Sequence, residues 1–216
     1  MSINKPVGRR AMLAGGLGLA GVMAMPHVAS ASVSTLATFN SVADWGARSP
    51  NGTPPVINGT PDKLIIHHTV YPNSTDYSVE QAFSHAQSVQ ALHQDSNGWI
   101  DTGYNFIVSR GGHATEGCTG SLPHMEGGTS FIQGAHTAGE NASSIGIALE
   151  GTYSDGASVP GDQWGALVAV CIAIASSYGV ASSQIFGHQD YSSTACPGGT
   201  VYNRLGELRT AVENGR

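Results

Sequence analysis

Charge is scarce in this sequence. Asp, Glu, Lys and Arg make up only 11% of the 216 residues, and there is no basic run. With a formal net charge of −6, the chain lacks the basic face that a nucleic-acid partner requires. Cysteine is short as well: Cys118, Cys171 and Cys196 make an odd count. In an exported protein an odd count leaves at least one thiol with a job other than an internal disulfide. If Cys118 pairs with Cys171, Cys196 is the spare. The alternative is three buried thiols, because cysteine packs as a small hydrophobe. There is no internal repeat and no sign of a second domain. The apolar stretch at residues 11–25 is too short and too rich in Gly and Ala to span a membrane.

What is present begins with an export signal. Residues 1–31 combine a polar start with Lys5, the pair Arg9-Arg10, the weakly apolar stretch and a terminal Ala29-Ser30-Ala31. This is the layout of a signal peptide with a small-residue cleavage site. The adjacent arginines followed by Met12-Leu13 resemble a bacterial twin-arginine signal, with a general secretory signal as the alternative. The expected location is therefore secreted or cell-wall associated in a bacterium, with no stable membrane insertion once the signal is removed. Residues 32–41 are rich in Ser, Thr and Ala and are expected to be flexible. Residues 42–216 are expected to form one domain, long enough to bury a good core.

Within that domain, residues 49–62 carry four prolines and read as a loop. Lys63-Leu64-Ile65-Ile66-His67-His68-Thr69 reads as a buried strand. Residues 78–95 read as a helix with Ser78 as N-cap and Gln81 completing a capping box. His85 and His93 on it are taken as surface or supporting residues. A strand ending at Val108, a Gly111-Gly112 turn and a returning strand at 113–116 follow. Residues 117–133 read as a Gly-rich loop, and Ile145-Gly146-Ile147-Ala148-Leu149-Glu150-Gly151 as a buried strand ending in a carboxylate. An apolar helix at 162–178 is capped by Gly179. A short strand at 184–187 delivers His188, and a last helix covers about residues 200–212. The mixture predicts an α/β domain with a central mixed β-sheet flanked by about three main helices.

The chemistry concentrates in Phe186-Gly187-His188 and Thr194-Ala195-Cys196-Pro197-Gly198, an imidazole and a thiol on one loop. A catalytic zinc needs three protein ligands and an open position. His67 supplies a third donor from the end of another strand. Adjacent strand residues point to opposite faces, so His67 and His68 do not both bind one ion. The His/His/Cys set suits Zn²⁺ better than Mg²⁺ or Ca²⁺. Such a site lowers the pKa of bound water and polarises a carbonyl, which is amide or ester hydrolysis. Tyr104 and Thr194 are candidate hydroxyl donors for the oxyanion.

These residues resemble the zinc amidases of type 2, the N-acetylmuramoyl-L-alanine amidase and peptidoglycan recognition protein family. The resemblance rests on motifs that occur in the family's order. They are Trp45-Gly46-Ala47-Arg48, Ile65-Ile66-His67-His68-Thr69, Trp99-Ile100-Asp101-Thr102-Gly103-Tyr104-Asn105-Phe106, Gly134-Ala135-His136-Thr137 with Asn141, Ser144-Ile145-Gly146-Ile147, and Gly187-His188 to Gly198. The resemblance implies a zinc-holding surface groove in the amidase domain and a Zn²⁺ cofactor on His67, His188 and Cys196. It makes Tyr104 and Thr194 catalytic, and His136 and Asn141 substrate-binding. His68 and Glu150 become supporting residues, or in the case of Glu150 a possible base. The implied partner is peptidoglycan or a muropeptide, met by a monomer, and the implied reaction is cleavage of the amide between N-acetylmuramic acid and L-alanine. Members that lack the cysteine bind without cutting, so the alternative is a non-catalytic peptidoglycan-binding module. The chain departs from the family at Glu116-Gly117-Cys118, where many relatives have Glu-Gly-Arg.

Overall fold

The structure, a computed structural model, describes residues 1–2 and 37–216. The expected export signal lies outside the described residues. The elements in order are β1 (Phe39–Asn40), β2 (Val56–Asn58), β3 (Lys63–His68), α1 (Val79–Ala91), β4 (Phe106–Val108) and β5 (Ala114–Glu116). They continue with α2 (Ser121–Gly127), β6 (Ser130–Ile132), β7 (Ser144–Leu149), α3 (Gly161–Tyr178), β8 (Ile185–Gly187), α4 (Gly199–Tyr202) and α5 (Leu205–Gly215). Six strands form one sheet in the order β1-β5-β4-β7-β3-β8. All its pairings are parallel except β4 with β5, which turn back on each other. The expected mixed sheet with three long helices is therefore the architecture, with α2 and α4 as two shorter additions.

Alternation along the strands divides the core. Leu64, Ile66, Phe106, Val108, Ile145, Ile147 and Leu149 face α3 and α5, where Leu167, Val170, Ile174, Leu208 and Val212 meet them. Burying side chains of this size stabilises by roughly 1.5–3 kcal/mol each. The opposite face is thinner: Ile107 packs with Trp45 and with Ala86 and Val89 of α1. The thin face leaves room for a cleft, and His67 points to that side.

Several local expectations change. β1 lies inside the segment expected to be flexible, and there Phe39 and Asn40 pair with Ala114 and Thr115. The loop expected at 117–133 contains α2 and β6, and β6 pairs with β2 from the proline-rich stretch. Both elements are too short to show a period in sequence. The capping box on α1 is half formed. Gln81 N–H donates to Ser78 Oγ at 3.2 Å, but the Gln81 side chain donates to Glu150 instead. The last helix is broken at Asn203 and Arg204 into α4 and α5. Cys118, Cys171 and Cys196 are all free and buried, so no disulfide joins the first two.

Within the domain, Val70 is a strained point of the backbone. It is β-branched, has φ +61° and is 64% exposed. Its N–H donates to Gly151 O at 3.0 Å, prolonging the pairing of β3 beyond His68. A left-handed conformation costs an L-residue about 1–2 kcal/mol, and asparagine tolerates it best after glycine. Val70→Asn is therefore expected to raise the unfolding free energy by about 1 kcal/mol in urea denaturation. An unchanged or lowered value would contradict the strain.

Candidate metal centre

The centre is built by strand register. β3 and β8 run parallel with Ile66 beside Gly187, so His67 and His188 emerge side by side at the carboxyl ends of their strands. Their ring centroids are 4.5 Å apart. Cys196 comes from the loop after β8. Its Sγ accepts the backbone N–H of His68 at 3.3 Å and lies 3.6 Å from His67 Nδ1. One donor atom from each of His67, His188 and Cys196 lies within 4.8 Å of the others.

This set fits zinc. With Zn–S of about 2.3 Å and Zn–N of about 2.0–2.1 Å, a tetrahedral ion holds sulfur and nitrogen roughly 3.6 Å apart. Burial, followed by the nearby His136, His188 and His68, keeps His67 well below the usual imidazole range. Burial also lowers His188. Both rings are therefore neutral at pH 7, the form that ligates. Burial pushes the Cys196 thiol up to about 12, opposed by the His68 N–H. A thiol in that state becomes a ligand only by losing its proton to a cation, so metal uptake at neutral pH releases a proton.

The other expected residues fall into two groups. Tyr104 stands beside His67, their ring centroids 5.3 Å apart. Burial, then the neighbouring Cys196, raises its phenol above the ordinary range, so it stays protonated and able to donate. Thr194 is exposed, and its Oγ1 accepts the Cys196 N–H at 3.2 Å, which steadies the ligand loop. His136 is buried with Nδ1 3.1 Å from His67 Nε2. Asn141 holds the loop of His136 by accepting the N–H groups of His136 and Thr137 at 2.9 and 2.8 Å. His68 faces away from the centre, and its Nδ1 accepts the Tyr153 N–H at 3.1 Å.

Glu150 points toward α1, as alternation from Ala148 requires. Its oxygens accept Gln81 Nε2 and the Arg110 N–H, each at 2.9 Å. Neither of these bonds reaches the three donors.

His93 and His85 are buried rather than on the surface. The helix of α1 continues as a π-turn at Leu92–Ser96, and such turns occur often at functional sites. This one brings both His93 and Gln94 inward. His93 packs on Trp99 at 4.6 Å and on Tyr104 at 5.4 Å. Its Nδ1 accepts the Gly103 N–H at 2.9 Å. The stack fixes the strand entry that carries Tyr104. The widened turn has no signature in the helical stripe, so sequence alone did not point to it.

A cleft of about 300 Å³ lies next to this region, lined in part by Trp99, Asp101, Thr102, Cys118 and Gly134. A larger one of about 510 Å³ lies at the β1–β5 edge against α3 and contains none of the centre's residues. The smaller cleft is not lined by the three donors either; it meets the region only through Trp99, which packs on His93. Among the described residues no helix is long and apolar enough to cross a membrane.

A His/His/Cys cluster, two of its members buried, stands at the carboxyl edge of a mixed sheet with a phenol beside it, and such a group could hold a metal ion. The chain belongs to the N-acetylmuramoyl-L-alanine amidase family Amidase_2, whose family model matches residues 57–199. It is 30% identical over 175 residues to peptidoglycan-recognition protein SC2 of Drosophila melanogaster, covering 80% of this chain and 85% of that protein. It is 30% identical over 166 residues to the N-acetylmuramoyl-L-alanine amidase of Homo sapiens, covering 74% of this chain but only 26% of that longer protein. Among solved structures, wild-type Drosophila PGRP-LB superposes with a TM-score of 0.68 at 26% identity, over 78% of this chain and 92% of that one. The ectodomain complex of PGRP-LCa and PGRP-LCx bound to tracheal cytotoxin gives 0.68 at 27% identity, over 77% and 93%.

The buried histidines predict a pH dependence. Burial, opposed by Asp101, lowers His93 to about 4, and burial lowers His136 to about 3. Unfolded histidine titrates at about 6.5. Below that value the unfolded chain takes up protons that the folded chain refuses, so stability is full above pH 6.5 and falls with pH, down to about 4 for His93 and about 3 for His136. In chelator, the denaturation midpoint should fall steadily over this window. In His93→Asn the fall should be shallower by up to about one proton. An identical slope in the two proteins would contradict the burial of a neutral His93.

Proposed function

We propose that this protein is a zinc-dependent amidohydrolase that cleaves the amide between N-acetylmuramic acid and L-alanine in peptidoglycan. The observation that carries the reading is the Cys196 thiol beside the two imidazoles, with its sulfur 3.6 Å from His67 Nδ1. His67, His188 and Cys196 would hold the ion. Zinc in such a donor set supplies Lewis acidity toward a carbonyl and toward water.

The chain's own groups do the rest. The protonated Tyr104 hydroxyl is placed beside the ligands to donate to the oxyanion as the carbonyl becomes tetrahedral. Thr194 offers a second hydroxyl from the ligand loop while its oxygen steadies Cys196. Glu150 is spent on Gln81 and Arg110, which favours a positioning role for it over that of a base. The leader-like first 31 residues support an action outside the cytoplasm, in the wall or the medium of a bacterium, and a monomer would suffice for the site.

Purified protein incubated with peptidoglycan should release peptides with new N-terminal alanine. Chelator should stop the release, zinc should restore it, and Cys196→Ala should remove it while the variant still binds. Undiminished binding with no cleavage by the native protein would instead favour the recognition-module reading. Tyr104→Phe should lower kcat by about 10²–10³ with little change in KM, the signature of a donor used in the transition state. A loss confined to KM would remove Tyr104 from that role.

A further inference from the structure

We propose that His136 is a positioning residue that orients the metal ligand His67 through a ring-to-ring hydrogen bond, with Thr137 and Gly146 completing its seat. The proposal rests on the zinc reading above.

His67 directs Nδ1 toward the Cys196 sulfur, at 3.6 Å. Its Nε2 faces the other way, 3.1 Å from His136 Nδ1 and 3.4 Å from Thr137 Oγ1. His136 Nδ1 and Thr137 Oγ1 are themselves 3.0 Å apart, so the three atoms close a triangle. A neutral histidine that gives its Nδ1 lone pair to a metal carries its proton on Nε2. The group that accepts this proton sets the ring's orientation and its strength as a ligand. Here that acceptor is another imidazole, backed by a hydroxyl.

The surroundings of His136 belong to a support. Its ring is 7% exposed. Its second nitrogen, Nε2, is buried and pairs with no side chain, so its side-chain partners, His67 and Thr137, both meet it at Nδ1. The ring lies directly on the backbone of β7. A Cβ on Gly146 would come within 2.4 Å of it, and one on Gly134 within 2.9 Å. Asn141 then locks the loop through both the His136 and Thr137 N–H groups. The line of action runs from Asn141 through the loop to the His136 ring, and from there to His67.

Zinc affinity, read by competition with a chromogenic chelator on the full mature chain, tests this. His136→Ala is expected to weaken zinc binding about 10–100-fold. His136→Gln should recover part of the loss, because its amide oxygen can accept the His67 proton. Gly146→Ala removes no hydrogen-bonding group but drives a methyl into the ring, and should weaken zinc binding as well. Circular dichroism of the metal-free proteins separates these effects from unfolding. Native zinc affinity in His136→Ala and His136→Gln, with only muropeptide binding weakened, would overturn the proposal and make His136 a substrate contact. If the unaltered protein itself takes up no zinc, the metal reading fails, and this proposal fails with it.

Discussion

The structure depends on the parallel pairing of β3 with β8. Register places Ile66 beside Gly187, and the next residue on each strand is a histidine. Parallel strands end at the same edge, so two imidazoles arrive together without help from a long loop. This is the edge at which open α/β sheets bind their ligands. The thiol is added by a hydrogen bond from the same strand: the His68 N–H holds Cys196 Sγ. His68 therefore contributes its backbone to the centre and its ring to the other side of the sheet.

A network on the far side of that strand keeps the register in place. Tyr153 donates its N–H to His68 Nδ1 and its hydroxyl to the Glu150 carbonyl. Arg110 Nη1 donates to the Tyr153 hydroxyl, and Gln163 Nε2 donates to the carbonyls of Val108 and Glu150. Buried polar groups left unpaired cost about 1–3 kcal/mol each, so this satisfied set specifies how β7 leaves the sheet. Glu150 is part of that set. It enters through its carbonyl, while its carboxylate, on the same face as the Ala148 that pairs with His67, is held by Gln81 and the Arg110 N–H away from the cluster of donors.

Much of this was legible in the sequence because it follows from short-range rules. The apolar run before His67, the glycine pair at 111–112 and the apolar stripe of α3 each carry a local period or a turn signal. The opposite directions of His67 and His68 follow from strand alternation alone. What stayed hidden depends on long-range packing. α2 and β6 are held by partners far away in the chain, including β2 in a stretch that prolines mark as a loop. The π-turn that buries His93 leaves no trace in the spacing of apolar residues. His136 and Asn141 could be assigned to the site by resemblance. That the His136 ring nitrogen lies against His67, and that Asn141 accepts two N–H groups of the loop, is visible only when distances are known.

The central claim is that His67, His188 and Cys196 together hold one zinc ion. X-ray absorption at the zinc edge, on protein whose metal content has been measured, tests it most directly. The account predicts one zinc per chain with a single sulfur neighbour at about 2.3 Å and nitrogen or oxygen neighbours at about 2.0–2.1 Å, the sulfur shell vanishing in Cys196→Ser. Zinc bound without a sulfur neighbour, or a sulfur shell that survives the substitution, would contradict it.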